Sequence, residues 1–296
     1  LDFSASSFSD IELASGSTID NDTINLDLIL GQKLSLRNII DGDTAAAALS
    51  DGGIKINQPS DSALVDLSLV GVGGNSANPN TNLFIDLAGS GLSSANITNE
   101  ENSYINLQNS SGGIGRLNIF GNGSLGIMNT LPNSVLVVDG SAASANLTIS
   151  PGTNGVDVTL GSGNDQLTLT GGINTVSTNS GQDVITITNG TNTVDSGSGN
   201  DSIAISGGVN TLSTSDGNDN INLGNGTNIV ETGSGQDIIS ITSGTNNVTA
   251  GPDSDTINVS AGTNTLSTGD GDDNITMSAG VNHVDTGAGD DTITAS

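Results

Sequence analysis

Eight aspartates recur at a fixed interval in the second half of the chain, and their carboxylates are the groups best placed to do chemistry. They keep an 18-residue period without interruption: Asp165, Asp183, Asp201, Asp219, Asp237, Asp255, Asp273 and Asp291. An aliphatic residue stands two positions after each one, and glycine stands two positions before seven of the eight. Carboxylate oxygens are preferred ligands of calcium. The spacing therefore predicts a row of similar cation sites.

The charge around this aspartate ladder also calls for a cation. Residues 151–296 contain 17 acidic residues and no lysine or arginine, because all four basic residues precede residue 150. Equivalent residues on stacked turns lie about 4.8 Å apart. Two unit charges at that distance repel by roughly 3 kcal/mol at an effective dielectric constant of about 20. Since no basic side chain offsets this repulsion, a bound metal ion is expected.

Asparagine repeats at half the period of the aspartate. Nine residues after each of the first seven aspartates stands Asn174, Asn192, Asn210, Asn228, Asn246, Asn264 or Asn282, each with glycine two positions before it. The repeating unit is therefore a nonapeptide that occurs twice in each 18-residue turn. We expect the asparagine amides to stack donor to acceptor along the molecule, which is a structural role.

A fixed period of this kind predicts stacked units that bury their apolar edges against one another. The best copies are Gly161-Ser-Gly-Asn-Asp165, Gly197-Ser-Gly-Asn-Asp201, Gly269-Asp-Gly-Asp-Asp273 and Gly287-Ala-Gly-Asp-Asp291. This unit resembles the RTX (repeats-in-toxin) nonapeptide G-G-x-G-x-D-x-U-x, over residues 156–296. The resemblance implies a right-handed parallel β-roll with calcium between successive loops of one edge. Eight loops leave seven gaps, for up to about seven ions.

The resemblance also suggests which residues hold the metal. The eight ladder aspartates would be the main ligands, and loop carbonyls or auxiliary groups would come from Ser162, Gly163, Ser198, Gly199, Asp216, Gly217, Gly235, Asp253, Asp270, Gly271 and Gly289. Only one edge of each turn keeps aspartate, so the asparagine edge is expected to be structural, and the alternative is a column of calcium ions on both edges.

Residues 1–150 are predicted to be β-rich but irregular. Short alternating runs read as half-buried strands: 23–28, 64–69, 83–87, 104–107, 116–120 and 135–138. Their ragged spacing fits an irregular β-solenoid or a β-sandwich. The sequence thus predicts an all-β protein with a lead-in region at 1–150 and a β-roll at 151–296.

The segments 137–149 and 115–127 resemble the lead-in and the strands of RTX-containing bacterial surface-layer (S-layer) proteins. That resemblance implies a calcium-dependent structural protein at the bacterial cell surface. Its partners would be identical subunits, together with a surface glycan or lipopolysaccharide bound through a region outside this chain. The chain begins at Leu1 without methionine and stops within a strand pattern at Ser296, which suggests a fragment.

Several classes of function are disfavoured. The chain has no cysteine for disulfides or thiolate metal sites, and no apolar stretch is long enough to span a membrane. No nucleic-acid partner is expected. An enzyme needs an acid, a base and positioning cations in one cluster, so catalysis is not expected. The alternatives are an RTX adhesin or spacer, including an ice-binding type, or the non-catalytic repeat module of a secreted polysaccharide-modifying enzyme.

Overall fold

The computed structural model describes residues 10–14, 18–19, 23–27, 33–37, 40–41, 53–57, 64–72, 83–88, 92–110 and 112–296. These residues form strands, turns and extended segments, and none of them lies in a helix. Within these ranges there is accordingly no helix that could cross a membrane. The chain divides into two compact units, Leu1–Gly152 and Thr153–Ser296.

The first unit consists of parallel strands. They are β1 (Asp10–Ala14), β2 (Thr18–Ile19), β3 (Thr23–Asp27), β4 (Lys33–Arg37), β5 (Ile40–Asp41), β6 (Gly53–Asn57), β7 (Leu64–Val70), β8 (Leu83–Ala88), β9 (Ser94–Asn99), β10 (Ser103–Gln108), β11 (Arg116–Gly121), β12 (Leu125–Ile127), β13 (Val137–Ala143) and β14 (Leu147–Ile149). One sheet has the order β1-β4-β7-β9-β11-β13 and the other β3-β6-β8-β10-β12-β14, while β2 pairs with β5.

This arrangement is a β-solenoid, not a sandwich, because strands from alternate positions in the chain pair in parallel. The turns are uneven: Asp66 pairs with Asn96 and Asn96 with Asn118, offsets of 30 and 22 residues. The predicted strand at 135–138 begins instead at Val137. Val135 is buried outside that strand. Residue 28 of the predicted strand 23–28 lies outside the described residues.

The second unit is regular. Its strands are β15 (Asp157–Thr159), β16 (Gln166–Leu169), β17 (Ile173–Ser177), β18 (Val184–Ile187), β19 (Thr191–Asp195), β20 (Ser202–Ile205), β21 (Val209–Ser213), β22 (Asn220–Leu223), β23 (Thr227–Glu231), β24 (Ile238–Ile241), β25 (Thr245–Pro252), β26 (Thr256–Val259), β27 (Thr263–Asp270), β28 (Asn274–Met277), β29 (Val281–Asp285) and β30 (Thr292–Ala295). The even-numbered strands form sheet A and the odd-numbered strands form sheet B.

Every neighbouring pair within sheets A and B is parallel and offset by one full turn, as Gln166 with Val184 and Asn174 with Asn192. The predicted parallel β-solenoid, with 18 residues in each turn, is therefore confirmed. Loops connect the sheets at two edges. We call the segments from sheet B to sheet A, such as residues 178–183, aspartate loops, and those from sheet A to sheet B, such as residues 188–190, asparagine loops.

The interior of the second unit is only half apolar. Side chains alternate between interior and solvent along each strand, as β-strand geometry requires. One turn places six side chains inside, each at most 2% exposed: Thr178, Asp183, Ile185, Ile187, Asn192 and Val194. Aliphatic residues fill the middle of this narrow core. A column of buried polar side chains therefore lies along each edge of the interior, and these groups need hydrogen-bond or ionic partners.

Candidate metal sites along the aspartate edge

Each ladder aspartate is the last residue of an aspartate loop, immediately before a strand of sheet A. The sequence places it there because the aliphatic residue two positions later must face the core, which turns the aspartate to the same side. The seven carboxylates from Asp165 to Asp273 are at most 2% exposed. Asp291, in the last turn, is partly exposed.

One oxygen of each ladder carboxylate is used by the backbone. The amide of Asp165 donates to Oδ1 of Asp183 at 2.7 Å, and the amide of Asp183 donates to Oδ1 of Asp201 at 2.8 Å. The same bond recurs at every later step, ending with the amide of Asp273 and Oδ1 of Asp291 at 3.0 Å. These bonds hold the carboxylates in a single file along the edge.

The second oxygen has no donor over most of this file. Within residues 178–296, all of them described, Oδ2 of six ladder aspartates is buried without a hydrogen-bond partner: Asp183, Asp201, Asp219, Asp237, Asp255 and Asp273. A buried acceptor left unsatisfied costs about 1–3 kcal/mol, and more if it is charged. The edge thus presents a row of buried oxygen atoms that lack a positive partner.

Burial and mutual repulsion act on the protonation of this row. Burial raises the pKa of Asp201 to about 7, and the carboxylates of Asp183 and Asp219 contribute to that rise. Burial likewise raises the pKa of Asp255 to about 7, with additional effects of Asp237, Asp273 and Asp253. The pKa values of Asp183, Asp219 and Asp237 are also raised, mainly by burial. Without a cation, burial therefore disfavours the ionised form of these carboxyl groups.

Glycine brings successive aspartate loops into close contact. Gly181, two residues before Asp183, has φ 143°. A Cβ atom at Gly181 would lie 2.0 Å from the carbonyl oxygen of Gly163 in the preceding turn. Gly199, Gly217, Gly235, Gly271 and Gly289 also have positive φ and approach the preceding loop as closely. The predicted carbonyl ligands therefore lie in the loops that contain the ladder carboxylates.

The remaining predicted auxiliary residues lie farther out. Ser162, Ser198, Asp216 and Asp270 are exposed on the aspartate loops, and Oδ1 of Asp216 accepts from the hydroxyl of Ser234 at 2.5 Å. Asp253 is exposed as well, and its Oδ2 accepts from the amide of Gly235 at 3.0 Å. These groups surround the file of buried carboxylates and are not part of it.

The sequence reading missed an interior hydroxyl column next to the aspartates. Five residues before most ladder aspartates stands a buried Thr or Ser, such as Thr178, Ser196, Thr214, Thr232 and Thr268. The hydroxyls of Thr178 and Thr214 each donate to the backbone carbonyl of the next turn at 2.9 Å. The signal was available, because this position carries Thr or Ser at the same 18-residue period. These hydroxyls lower the pKa of the adjacent carboxylates, against the larger effect of burial.

A second missed set caps the aspartate loops from outside. At several turns the residue immediately before a ladder aspartate offers a side-chain oxygen to a backbone amide of the next turn. Asn200 accepts from the amide of Asn218 at 2.9 Å, and Asn218 accepts from that of Gln236 at 2.8 Å. This outer file is satisfied within the protein, so its asparagines hold the loops together without a metal.

The donor set of the aspartate edge fits calcium. Calcium takes about six to eight oxygen ligands in flexible geometry, and the edge offers carboxylate, carbonyl and hydroxyl oxygens. No three His, Cys, Asp or Glu side chains among the described residues converge on one point. Each ion would therefore combine the two ladder carboxylates that bracket a gap with backbone oxygens of the loops.

The asparagine edge is complete without an ion. Nδ2 of Asn174 donates to Oδ1 of Asn192 at 2.6 Å and to the carbonyl of Gly171 at 2.9 Å. The amide-to-amide bond recurs at each step up to Asn264 and Asn282 at 2.7 Å. The predicted stacking of amides is confirmed.

The outer face of sheet B carries the remaining residues of functional interest. His283 is exposed there. One exposed column contains Thr191, Thr227, Thr245 and Thr263, with Val209 between the first two and Val281 after the last. The two valines therefore interrupt this column of threonines, which is a regular array only from Thr227 to Thr263.

Comparison with family models finds the RTX calcium-binding nonapeptide repeat (4 copies), which matches residues 159–186, 168–203, 205–239, 240–276 and 278–296. Neither the curated proteins nor the solved structures gave a match. The match covers nearly all of the second unit, and its calcium-binding class agrees with the carboxylate file. Residues 159–296 therefore belong to the RTX family of calcium-binding nonapeptide repeats.

Proposed function

We propose that this chain is a calcium-dependent extracellular structural protein that contributes to a bacterial S-layer. The observation that carries the proposal is the file of buried carboxylate oxygens without donors from Asp183 to Asp273. Such a file is unfavourable in calcium-poor surroundings and favourable where calcium is abundant. The fold of the second unit is then coupled to the calcium concentration outside the cell.

The coupling follows from linkage. An ion that binds the folded state and not the unfolded chain stabilises the fold increasingly as its free concentration rises. Bound calcium supplies the positive charge that the second unit lacks among its own side chains. The chain's part is to position the oxygens: the amide of each aspartate fixes the next carboxylate, and glycine allows the loops to approach. Export of the chain in its unfolded state, followed by folding outside the cell, is consistent with this coupling between calcium binding and folding.

The choice of an S-layer depends on further features. The segments 115–127 and 137–149 resemble those of RTX-containing S-layer proteins, and a net charge of −28 keeps separate chains apart until cations bind. Bound divalent ions would cancel much of that repulsion and permit lateral association with identical subunits. A surface glycan or lipopolysaccharide would anchor the lattice through a region outside this chain.

Catalysis is not part of the proposal. The repeats form a non-catalytic type of domain, and an active site requires acid, base and positioning groups together. In the second unit the acidic groups are spread along an edge without a basic partner. A repeat module attached to a polysaccharide-modifying enzyme would show turnover of an acidic glycan, which we do not expect of this chain.

The test is assembly of the purified 296-residue chain across a calcium titration, followed by sedimentation velocity and electron microscopy. Ordered sheets appearing above the folding midpoint would support the S-layer. Magnesium at the same concentration is the control, because it demands stricter octahedral geometry and keeps its waters. Folded monomers that persist at millimolar calcium would instead indicate an adhesin or spacer, and thermal hysteresis would indicate the ice-binding type.

A further inference from the structure

The negative charge of the second unit lies on two of its surfaces only. Four of its 17 acidic residues have exposed side chains on strands of sheet B: Asp157, Asp195, Glu231 and Asp285. The other 13 lie along the aspartate edge. Within residues 153–296, all of them described, the strands of sheet A and the asparagine loops therefore contain no charged residue.

We call the outer surface of sheet A in the second unit the neutral face. Each of the eight strands from β16 to β30 contributes its first and third residues, which are exposed or half-buried. Neighbouring strands pair in register, so these side chains form two straight columns. The columns consist of Thr, Ser, Asn, Gln, Ala, Val and Ile.

The neutral face is suited to contact with another flat surface. Most of its side chains are short, so they lose little conformational entropy when a contact orders them. Val184 and Ile238 are 42% and 46% exposed and give the face two apolar points. The inner strands are already hydrogen-bonded to a neighbour on each side. A partner therefore meets side chains and not an open strand edge.

Charge selects the partner. The chain has a net charge of −28, so two copies repel each other, and like charges that oppose each other across a contact are strongly unfavourable. Two neutral faces meet without such a pair, and a twofold contact between them directs both copies of sheet B away from the contact. An uncharged glycan is a poorer partner, because the second unit has no aromatic side chain to stack on a sugar ring.

The size of the neutral face indicates a weak contact. Eight strands about 4.8 Å apart, each four residues long at about 3.3 Å per residue, give a projected area of roughly 500 Å². Two copies would bury on the order of 1,000 Å² in total, below the roughly 1,600 Å² of a standard stable interface. A contact of this size is weak by itself and suits one of several contacts in a lattice.

We infer that the neutral face binds a second copy of this chain, with the two A sheets packed against each other about a twofold axis. The inference rests on the proposed assembly function and names a surface that assembly uses. Calcium acts on this contact by folding the roll, because the face itself has no carboxylate that could bind an ion.

The experiment compares two isoleucines of equal exposure. Ile238, on the neutral face, and Ile229, on the outer face of sheet B, are both 46% exposed. Ile238→Asp places a carboxylate of each copy within the contact, whereas Ile229→Asp adds the same charge outside it. Sedimentation velocity of the full chain in saturating calcium measures self-association, and circular dichroism checks that each variant folds.

We expect Ile238→Asp to raise the dissociation constant for self-association at least about tenfold, because two uncompensated charges are then brought together. Ile229→Asp should leave that constant within about twofold of the wild-type value.

Cross-linking gives a second readout in case an aspartate disturbs the strand. The chain contains no cysteine, so a single introduced thiol reacts unambiguously. Ser240 is half-buried near the middle of the neutral face, and the half-buried Ser213 on sheet B supplies the control. With a bismaleimide that spans about 10 Å, the distance between packed sheets, Ser240→Cys should give covalent dimers and Ser213→Cys should not.

The outcomes separate this inference from the proposed function. If the wild type associates in calcium and both aspartate variants associate equally well, another surface makes the contact, so the inference fails and the assembly function stands. Loss of association in Ile229→Asp alone, or cross-linking of Ser213→Cys alone, would assign the contact to sheet B and also overturn the inference. If the folded wild type stays monomeric at millimolar calcium, the proposed function and the inference fail together.

Discussion

The two edges of the second unit have the same backbone period but differ in one atom of the side chain. On the asparagine edge, Nδ2 of each amide donates to the next amide and to a loop carbonyl. On the aspartate edge, Oδ1 of each carboxylate accepts from the backbone amide of the preceding aspartate, and Oδ2 finds no donor in the turns from Asp183 to Asp273. An amide file completes its own hydrogen bonds, whereas one oxygen of each carboxylate lacks a partner unless a cation or a proton is bound. We therefore propose that calcium dependence comes from the aspartate edge alone.

The first unit offsets its buried acid in another way. Asp86, which is 4% exposed, lies 3.7 Å from the ammonium of Lys55 and accepts from the amide of Ser110. Arg116 pairs with Asp139 at 2.5 Å on the surface. Because these carboxylates have partners within the chain, we expect the described part of the first unit to be largely independent of calcium.

Removal of calcium should therefore unfold the second unit and leave the first unit folded, and this is the largest effect that we predict. In excess chelator, amides of residues 153–296 should lose protection from hydrogen exchange, while those of residues 92–110 stay protected. Calcium should restore the second unit with a midpoint of about 0.1–1 mM, as in extracellular modules. Hydrogen-exchange mass spectrometry with circular dichroism measures both. A β spectrum and exchange pattern unchanged by chelator would contradict the comparison.

Single substitutions on the two edges should have unequal effects. Asp219 borders two gaps, so Asp219→Ala should weaken two adjacent ions and raise the calcium midpoint several-fold. Asn228 accepts from Asn210 and donates to Asn246. Asn228→Ala should cost about 1 kcal/mol for each lost bond and leave the number of ions unchanged. Calorimetry that shows equal loss of ions in both variants would disprove the assignment to one edge.

The regular part of the fold could be predicted because the sequence pattern that specifies it repeats at a fixed interval. The 18-residue interval of the aspartates fixes the register of both sheets, and the pairing of Asn174 with Asn192 follows from it. The first unit has no such interval. There the sequence left solenoid and sandwich open, since alternation alone does not say whether neighbouring strands run in parallel.

The hydrogen bonding of the carboxylates could not be predicted in the same way. Charge repulsion indicated a cation, and alternation puts Asp183 on the core side, but the sequence did not show that Asp183 accepts a backbone amide from the preceding turn. That bond depends on the tight stacking of the loops at glycine, which is a property of the three-dimensional structure. The ligand assignments, and the assignment of residues 1–150 and 151–296 to separate domains, stay predictions.

Loop stacking gives the third prediction. Gly181→Ala would place a Cβ atom 2.0 Å from the carbonyl oxygen of Gly163 at φ 143°, so the aspartate loops must move apart. Gly171→Ala, in an asparagine loop, meets its nearest atom at 4.0 Å. We expect a loss of at least about 2 kcal/mol for the first and a change within about 0.5 kcal/mol for the second. Urea unfolding in saturating calcium measures both, and equal losses would show that the loops are not tightly stacked.

Acid should replace calcium in part, and only on the aspartate edge. Burial raises the pKa of Asp201 and of Asp255 from 3.8 to about 7 in the calcium-free fold. The folded state therefore binds protons more tightly than the unfolded chain, and the free energy of unfolding falls as the pH rises from 3.8 to about 7.

After calcium is stripped on a chelating resin, lowering the pH from about 8 to about 5 should restore protection from hydrogen exchange in residues 178–273. In the calcium-loaded protein the pH dependence of stability has the opposite sign, because protons compete with calcium for the carboxylates. The calcium concentration at the folding midpoint therefore rises as the pH falls. Asp201→Asn should weaken the pH response of the calcium-free protein, whereas Asp195→Asn, on the outer face of sheet B, should not. Stability that falls on acidification of the calcium-free protein would mean that the carboxylate file is ionised without a metal, and the contrast between the two edges would then need another cause.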